Sequence, residues 1–506
     1  MLLKAAIAEE SMARFVSQPP LRQLRDMSKV VVIGGGLAGI AAALAIADEA
    51  ESNEVILLEA RSRLGGRVSS VKDPKSGIEL DNCQHSCFRV YERFFQLIAR
   101  AGGHANIKLQ SRTNLPFMQV GSGKTAVLKD GRLAPPNHMS ASLLNFPFLS
   151  LKDKIAMRKV VKELATMSEQ EMADIDNLDF RSWLIERGQT ERSINRFWGF
   201  FVLAALNTNL DEASASLSAF LFQRGLFNDP HAFDVGAFTS HLSDSIHPDL
   251  HEVLQEAGVD VRLSTTAKAL LWKEGCTGVE ISGEDLDCDA VVVALPHHLA
   301  ARLLMKDGAP EEVLTVAELA ARLEYRSLVG IHALHPKPVL PDDFTFSICV
   351  DEEVIQMLFN KNSELDAENL PIEDGQWISV PVSAADKYLE WKDEEFLAEY
   401  TRVVKGTFPE TWNEPQTFKV IKTKKATFAA TAGCAEFRVA QNVLAEHRIH
   451  LAGSWTDTGW PSTMEGAVRS GLLAAAGLMN IEWNPETDWK RWPRPPQRLD
   501  DEWKTW

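Results

Sequence analysis

The stretch KVVVIGGGLAGIAAALAIADE, residues 29–49, constrains the fold of this chain more than any other feature. A run of β-branched residues, typical of a strand buried on both faces, passes through Gly34-x-Gly36-x-x-Gly39 into an Ala-rich segment typical of a helix. Glycines in this order allow a tight turn, close approach of a pyrophosphate to backbone N–H groups, and close packing of helix on strand. The helix N-terminus also favours the negative charge of a phosphate. The stretch therefore predicts a dinucleotide-binding βαβ unit.

A second apolar run, EVILLEA, predicts the next strand of this unit and contains Glu59. Glu59 follows Gly39 by 20 residues, a spacing at which an acid accepts hydrogen bonds from the ribose hydroxyls of a dinucleotide. Gly65-Gly66-Arg67 comes soon after the acid. Adjacent glycines let backbone approach a cofactor, and an arginine there can pair with a diphosphate.

An acid followed by Gly-Gly-Arg resembles the FAD-dependent amine oxidase and carotenoid desaturase superfamily. The resemblance favours FAD over NAD as the cofactor. It implies an α/β fold in which a Rossmann-like FAD-binding domain of the glutathione-reductase type is interleaved with an α+β substrate domain. We therefore expect a flavoprotein enzyme.

Three segments are expected to form the FAD-binding domain: residues 29–84, 241–299 and 441–480. The two insertions, residues 85–240 and 300–440, are expected to form the substrate domain. The first insertion contains amphipathic helical patterns such as LKDKIAMRKVVKELATM, and the second contains the strand-like runs SLVGIHAL, FTFSICV and WISVPVS.

The two ends of the chain have no place in these domains. Residues 1–28 are a poor signal peptide, and we expect a poorly ordered extension there, with a membrane-surface helix as the alternative. Residues 481–506 form a Pro-rich, charged C-terminal tail.

The composition of the chain limits the classes of partner and the cellular compartment that we expect. The formal net charge of -17 repels polyanions, so we expect no nucleic-acid partner. The six cysteines contain no Cys-x-x-Cys pair and no zinc-site spacing, which favours a reducing compartment and predicts no metal site. No apolar run approaches the roughly 20 residues of a membrane span. We expect a cytoplasmic protein, with attachment to a membrane surface as the alternative.

The sequence GSGKT at 121–125 is superficially like a phosphate-binding P-loop. That motif requires a glycine where Met118 stands, and a helix where AVLKDGRLAPP follows. We predict a hairpin at this point instead.

Four further stretches resemble the hydroxysqualene dehydroxylases, also called squalene-associated FAD-dependent desaturases. They are ELDNCQHSCF, FWGFFVLAALNTNLDEASA, KKATFAATAG and AGSWTDTGWPSTMEGAVRSG. That family removes the hydroxyl group of hydroxysqualene with reduced flavin, giving squalene in hopanoid and related triterpenoid synthesis. The resemblance implies the same activity here, a hydrophobic triterpenoid substrate and an unidentified electron donor. It also implies transient contact with a membrane surface or with an upstream terpenoid synthase.

The chain departs from the family pattern in two places. Ser454 stands where the family usually has an acid after Ala-Gly, so the usual carboxylate contact to the ribityl or diphosphate region becomes a hydroxyl contact or is lost. Residues 86–89, Ser-Cys-Phe-Arg, replace the usual apolar and small residues after Gln84-His85. The second departure affects the expected substrate more than the expected binding of FAD.

The motif and the resemblance together predict one set of cofactor-binding residues. The strand around Val261 resembles the one whose backbone contacts the adenine, Ala294 lies in a turn that returns to the cofactor, and Thr463 and Met464 present a helix N-terminus to the flavin. The full set is Gly34, Gly36, Leu37, Ala38, Gly39, Glu59, Ala60, Arg61, Gly65, Gly66, Arg67, Gln84, Val261, Ala294, Gly453, Ser454, Thr463, Met464 and Ala467.

Three catalytic residues are predicted: His85, Asp81 and Lys425. His85 is the candidate acid that protonates the leaving hydroxyl, since histidine titrates near neutral pH. The alternative is that Asp81, Gln84 and His85 only hydrogen-bond the flavin or cap a helix. Lys425, or its neighbour Lys424, is the candidate to approach flavin N5 through water, and surface charge at the end of a strand is the alternative. The aromatic residues Trp198, Phe200, Phe201, Trp455 and Trp460 are candidates for the wall of a cavity for a thirty-carbon chain. For Trp198, Phe200 and Phe201, packing in the aromatic core is the alternative.

Two alternatives to dehydroxylation keep the fold. A carotenoid-type desaturase or amine oxidase would use the flavin in the oxidative direction. A non-catalytic FAD-binding scaffold would organise neighbouring terpenoid enzymes.

Overall fold

A computed structural model describes residues 28–482, except 50–52, 75, 247 and 373, together with the backbone of residues 504 and 505. The predicted extension lies outside the described residues apart from Ser28, and so does most of the predicted tail. The strands are β1 (Lys29–Ile33), β2 (Glu54–Leu58), β3 (Ser70–Lys72), β4 (Glu79–Asp81), β5 (Cys87–Phe88), β6 (Ile107–Leu109), β7 (Asn114–Gln119), β8 (Thr125–Lys129), β9 (Val235–Phe238), β10 (Val259–Arg262), β11 (Ala269–Lys273), β12 (Gly275–Glu280), β13 (Asp285–Asp287), β14 (Ala290–Val293), β15 (Tyr325–His335), β16 (Phe346–Val350), β17 (Met357–Asn360), β18 (Gln376–Val382), β19 (Thr417–Phe428), β20 (Ile449–Leu451) and β21 (Lys504–Thr505).

The α-helices are α1 (Leu37–Glu49), α2 (Glu92–Arg100), α3 (Ser140–Leu144), α4 (Leu151–Thr166), α5 (Glu169–Asp174), α6 (Phe180–Glu186), α7 (Glu191–Ser193), α8 (Gly199–Leu206), α9 (Ala215–Phe222), α10 (Leu242–Ile246), α11 (Pro248–Glu256), α12 (His297–Leu304), α13 (Glu311–Arg322), α14 (Lys361–Glu364), α15 (Asp393–Thr407) and α16 (Met464–Leu478). Two π-helical turns, Ile194–Trp198 and Gln223–Phe227, precede α8 and follow α9. No described helix combines the length and the apolar composition that a membrane span requires.

A five-stranded parallel sheet has the order β10–β2–β1–β14–β20. Successive side chains of a strand point to opposite faces, and here both faces are buried. Val31 and Ile56 belong to one hydrophobic core, whereas Val30 and Val55 belong to the other. The continuous apolar run of β1 follows from this double burial. The α/β fold class is confirmed, while the domain boundaries given above stay predictions.

Two helices with many small residues pack together beside this sheet. A Cβ at Gly471 of α16 would lie 2.0 Å from the carbonyl oxygen of Ala38 on α1, so the two backbones approach as only glycine permits. In the same way, a Cβ at Gly39 would lie 1.9 Å from the carbonyl oxygen of Gly34. These close approaches hold α1 and α16 at the edge of the sheet where the site lies.

A separate seven-stranded sheet has the order β19–β15–β18–β17–β16–β7–β8. The three predicted strand-like runs lie in β15, β16 and β18, and the predicted helix of residues 151–167 is α4, so these predictions are confirmed. The GSGKT stretch is the turn of the β7–β8 hairpin, with positive φ at Gly121 and Gly123. The predicted hairpin within AVLKDGRLAPP is wrong in its position, because only the first residues of that stretch form a strand, β8, which pairs with the preceding β7.

Candidate functional site

One cavity of about 1920 Å³ begins at the carboxyl ends of β1, β2, β14 and β20 and extends to the seven-stranded sheet. Ligands of parallel α/β sheets bind at this edge. The volume exceeds the roughly 300–1,000 Å³ of an ordinary small-molecule pocket. The cavity therefore has room for a cofactor and a substrate together.

The glycine turn after β1 forms one end of the cavity. Gly34 adopts φ +111°, and a Cβ there would lie 2.5 Å from the carbonyl oxygen of Ala294. Gly36 differs, because a Cβ on it would meet only Gly66 Cα, at 3.9 Å. Positions 34 and 39 thus require glycine because a side chain there would clash with neighbouring backbone atoms. Gly36 faces open space in the cavity wall, which is what close approach by a ligand requires.

The Glu59 carboxylate is held by backbone donors on both oxygens. The N–H of Gly35 donates to Oε2 at 2.7 Å, and the N–H of Arg61 donates to Oε1 at 2.8 Å. The side chain is nearly buried but lines the cavity. The carboxylate is therefore fixed beside the glycine turn with lone pairs still available to ribose hydroxyls.

Arg67 brings a cation into the cavity wall. Its Nη1 donates to the carbonyl oxygen of Ala426 at 2.7 Å, and its Nη2 lies 3.5 Å from Ser454 Oγ. Burial lowers the pKa of Arg67, with an opposing effect of Tyr325, yet a guanidinium stays charged at neutral pH. Ser454 is buried, and its hydroxyl is also 3.0 Å from Ser462 Oγ. Ser454, the position at which the resemblance predicts an acid, thus contacts Arg67.

The loop after β20 returns the chain to the cavity at the start of α16. Thr463 caps this helix, since its Oγ1 accepts the N–H of Gly466 at 3.0 Å. The first-turn acid Glu465 is fully buried and pairs with Arg469, Oε1 to Nε 2.6 Å. The unpaired N–H groups and the dipole of the helix N-terminus favour negative charge in the cavity beside them.

The cavity wall contains 17 of the predicted cofactor residues and His85. The 17 are Gly34, Gly36, Leu37, Ala38, Glu59, Ala60, Arg61, Gly65, Gly66, Arg67, Gln84, Ala294, Gly453, Ser454, Thr463, Met464 and Ala467. Their roles in binding stay predictions.

Four predicted site residues do not line the cavity: Gly39, Val261, Asp81 and Lys425. Gly39 packs under the turn as described. Val261 is paired with Leu57 inside the parallel sheet, and the wall begins only at Thr265, after that strand ends. The prediction that Val261 contacts the adenine is therefore at odds with its position.

His85 lines the cavity, but the structure alters its predicted role. Its Nδ1 lies 2.9 Å from the carbonyl oxygen of Cys83, which can only accept, so Nδ1 carries the proton. Burial lowers the pKa of His85. The hydrogen bond to Cys83 and the charge of Asp81 raise this pKa, but their effect is smaller. The neutral ring therefore presents an acceptor at Nε2 and cannot act as an acid there. Proton donation requires the imidazolium.

Asp81 belongs to a buried polar network behind the cavity wall. Its Oδ1 accepts from Ser70 Oγ at 2.8 Å and from the N–H of Leu242 at 2.9 Å. These bonds join β3, β4 and α10, and they explain its burial without any contact to a reacting group. The prediction of a direct catalytic role for Asp81 is at odds with this position.

The same network contains a buried lysine. Lys361 Nζ lies 2.7 Å from Glu364 Oε2 and 3.8 Å from Asp81 Oδ2. Although burial favours the neutral amine, these carboxylates raise the pKa of Lys361 above its ordinary value. Glu364 also accepts from Gln84 Nε2, at 3.0 Å to Oε1 and 3.1 Å to Oε2. An ion pair thus fixes the amide of Gln84 at the cavity wall.

Lys425 is exposed, and its Nζ lies 4.7 Å from the centre of the Tyr325 ring, a cation–π contact. Lys424 is exposed as well, whereas Thr423 and Ala426 line the cavity. Side chains alternate along β19, yet neither lysine points inward, because the pairing of β15 with β19 is irregular between Arg326 and Leu328. The predicted approach of Lys425 to the flavin is not seen.

The far part of the cavity is apolar and largely aromatic. Its wall includes Leu115, Phe117, Phe200, Phe233, Phe346, Ile348 and Phe359. Of the predicted aromatic candidates, only Phe200 belongs to it. Trp455 is buried, and its Nε1 donates to the carbonyl oxygen of Leu295 at 2.9 Å. Trp198, Phe201 and Trp460 pack in the core.

Sequence reasoning missed three contributors to the site. Asn207 takes a left-handed conformation (φ 52°) at the end of α8 and hydrogen-bonds Ser327, Thr427 and Ala384. An Asn after an apolar helix was the available signal. Lys361 and Glu364 lie in a polar stretch, NKNSELD, that carries no periodic signal for burial.

The residues fit FAD. Gly36 leaves room for close approach, Arg67 supplies a cation, and Glu59 a fixed carboxylate. Two buried acceptors of the wall, Asn82 Oδ1 and Gln84 Oε1, have no hydrogen-bond partner among the described residues. Buried polar groups are usually satisfied, and the N–H groups of a flavin ring are donors of the kind these atoms lack.

A family model described as flavin containing amine oxidoreductase matches residues 37–479. The hydroxysqualene dehydroxylase of Zymomonas mobilis is 24% identical over 89% of this chain and 98% of its own length. That of Rhodopseudomonas palustris is 26% identical over the same shares. The zeta-carotene desaturase of Solanum lycopersicum is 25% identical over 90% of this chain and 81% of its own length.

Solved structures show the same fold. Putrescine oxidase bound to putrescine superposes with a TM-score of 0.65 at 19% identity, covering 90% of this chain and 99% of that one. Cyclohexylamine oxidase from Brevibacterium oxydans superposes with a TM-score of 0.63 at 18% identity and equal coverage.

Proposed function

The chain belongs to the flavin-containing amine oxidoreductase family and is an FAD-dependent oxidoreductase, and from this premise we propose that it reductively dehydroxylates hydroxysqualene to squalene. In this proposal the carbon–oxygen bond breaks, a carbon–hydrogen bond forms at the same carbon, and the hydroxyl leaves as water. Bound FAD in its reduced form supplies the hydride. The proposed setting is hopanoid or related triterpenoid synthesis.

The observation that carries the proposal is the apolar wall. A thirty-carbon chain gains about 0.8 kcal/mol for each buried CH₂ group. The aromatic side chains between Leu115 and Phe359 offer such burial beyond the predicted cofactor residues. The four sequence stretches that resemble hydroxysqualene dehydroxylases, and the two relatives of that name, support the same substrate.

The cavity wall would serve this reaction in two ways. Apolar side chains exclude water, so that an allylic carbon which loses its hydroxyl is kept from solvent. His85 is the proposed acid, acting as the imidazolium, with Nδ1 held by Cys83 and Nε2 carrying the transferable proton. Such acid catalysis contributes typically 10²- to 10⁴-fold.

The second candidate is a carotenoid-type desaturase. The zeta-carotene desaturases, similar to this chain at the same level of identity, favour it, and the apolar wall suits a carotene equally well. The direction of electron flow separates the two activities, because desaturation consumes oxidised flavin.

The test is an anaerobic incubation of the purified holoprotein under two conditions. Hydroxysqualene is added to protein whose flavin has been chemically reduced, and zeta-carotene to protein whose flavin is oxidised. We expect squalene and reappearance of oxidised-flavin absorbance in the first sample only. Reduced flavin that persists without squalene would refute dehydroxylation, and flavin reduction by zeta-carotene would establish the second candidate. If neither substrate changes the flavin, the scaffold alternative gains.

A further inference from the structure

Exposed apolar side chains concentrate on one side of the molecule, on and around α4. Leu144, Leu151 and Ile155 are 63, 67 and 62% exposed. Leu144 ends α3, and its carbonyl oxygen accepts from Lys154 Nζ of α4 at 2.7 Å, so the three side chains share one surface. Single exposed apolar residues are ordinary, but a contiguous group marks a binding surface.

The orientation of α4 explains this group. Its buried residues, Met157, Val160 and Leu164, recur at the helical period on one face. Leu151 and Ile155 are four residues apart on the opposite face. The described part of the chain places nothing over them that would remove their exposure. We call this surface the α4 face; it comprises Leu144, Leu151, Ile155, Lys152, Arg158, Lys159 and Lys162.

Basic residues surround the apolar centre of the α4 face. Lys152, Arg158, Lys159 and Lys162 are exposed, and no carboxylate among the described residues forms an ion pair with them. Residues 121–162 contain eight Lys or Arg and two Asp, within a chain of formal net charge -17. The positive charge of this region is thus opposite to that of the whole molecule and complements an anionic surface.

The helix that carries the α4 face is connected to the cavity wall through its buried side. Asp153, in the first turn of α4, accepts from Thr190 Oγ1 at 2.5 Å. The helical segment that Thr190 begins leads to Asn195 and Arg196, which line the cavity. Arg196 Nη1 also lies 3.5 Å from the carbonyl oxygen of Phe148, three residues before α4. The buried side of α4 is thus joined to one wall of the cavity, and the α4 face lies on the outer side of the same helix.

We propose that the α4 face docks the protein on an anionic lipid bilayer. Leu144, Leu151 and Ile155 would enter the boundary between headgroups and acyl chains, and the surrounding lysines and Arg158 would contact lipid phosphates. This combination of an apolar centre with a basic rim is how interfacial helices bind membranes. The proposal does not depend on the reaction, because its test uses no substrate.

The test is co-sedimentation of the full-length holoprotein with vesicles. Vesicles of phosphatidylcholine with phosphatidylglycerol are compared with vesicles of phosphatidylcholine alone. We expect binding to the anionic vesicles, weakened by added salt. Each basic residue near an anionic membrane surface raises the binding constant for that membrane roughly fivefold. The variant K152E/R158E/K159E should therefore bind at least about tenfold more weakly, and L151S/I155S should also lose binding.

Matched controls sit elsewhere on the surface. K273E/K337E/K405E changes the net charge by the same amount, and L178S/I185S removes two exposed apolar side chains outside the α4 face. Both controls should bind as the unaltered protein does, and all variants should keep their flavin and thermal midpoint. No binding to anionic vesicles, or equal loss in the controls, would overturn the proposal. So would a change of molecular mass by light scattering in L151S/I155S, which would assign the face to a second copy of the chain.

Discussion

Single side chains set the charge inside the cavity. Arg67 contributes a partly buried cation, Glu59 a carboxylate held on both oxygens, and His85 a ring whose Nδ1 proton is already donated to Cys83. Ser454 lies next to the cation without neutralising it. Two predictions follow from these local relations.

The first concerns Ser454→Asp. A carboxylate at this position would form an ion pair with Arg67 in place of the 3.5 Å hydroxyl contact. Because charge-assisted hydrogen bonds are stronger than neutral ones, we expect FAD to bind as tightly as before or more tightly, measured by flavin titration of the apoprotein. Ser454→Asn is the control of similar size without charge. Loss of flavin from folded Ser454→Asp, with retention by Ser454→Asn, would show that Ser454 does not occupy the acidic position of the family.

The second concerns the pH dependence of single-turnover oxidation of reduced flavin by hydroxysqualene. Burial lowers the pKa of His85 below 6.5, and the acid form of the ring is the imidazolium. The rate should therefore rise as the pH falls, and level off below that pKa. His85→Gln should slow the reaction by about 10²- to 10⁴-fold and abolish this dependence. A rate that rises with pH, or an unchanged profile in His85→Gln, would exclude His85 as the acid.

At the scale of elements, β1, the glycine turn and α1 were predictable because each of their local signals favours one structure. The apolar run, the three glycines and the small helix residues agree, and Gly34 and Gly39 are packed as the motif requires. Lys425 was not predictable, because the irregular pairing of β15 and β19 alters which side chains of β19 face inward. Lys361 and Glu364 were missed because burial of an ion pair depends on distant contacts.

The glycine turn yields the third prediction. Gly36→Ala adds a methyl group into open space, so the free energy of unfolding of the apoprotein should change by less than about 1 kcal/mol while FAD affinity falls at least about tenfold. Gly39→Ala forces a methyl group to 1.9 Å from the Gly34 carbonyl oxygen and should destabilise the apoprotein by about 1–3 kcal/mol. Thermal unfolding and flavin titration distinguish the two. Equal unfolding behaviour of both variants would contradict the assignment of Gly36 to the ligand and Gly39 to packing.

At the scale of the whole molecule, the α/β class followed from the first strand–turn–helix unit, and FAD from the resemblance of the motifs after it. The size of the cavity and the shape of its apolar wall could not be predicted from the sequence, because β7, β16 and β17 come from distant parts of the chain. The predicted aromatic wall was mostly wrong for the same reason: a tryptophan in a loop can fill a core as readily as a cavity.

Buried histidines make the molecule sensitive to acid. Burial lowers the pKa of His450 to about 4, its Nδ1 has no hydrogen-bond partner among the described residues, and it is 4% exposed. An unfolded histidine titrates near 6.5. The unfolded chain therefore binds more protons in this window, and stability should fall as the pH drops from about 6.5 to about 4, by roughly 3 kcal/mol for this residue.

Denaturant unfolding at several pH values measures this effect. His450→Leu should reduce the loss between the two limits by that amount and leave stability near pH 7 almost unchanged. Burial also lowers the pKa of His332 to about 4. His332 should therefore keep the His450→Leu variant sensitive to acid in part. An identical pH profile in His450→Leu would contradict the prediction.

Deuterium labelling follows the proposed transfer, in which hydride from reduced flavin replaces the hydroxyl group of hydroxysqualene. The holoprotein is reduced in D₂O, where the exchangeable hydrogen on flavin N5 becomes deuterium, and is given hydroxysqualene without oxygen. We predict squalene with one deuterium at the carbon that carried the hydroxyl, formed in step with flavin oxidation. Squalene without deuterium at that carbon, or flavin that stays reduced, would contradict the account.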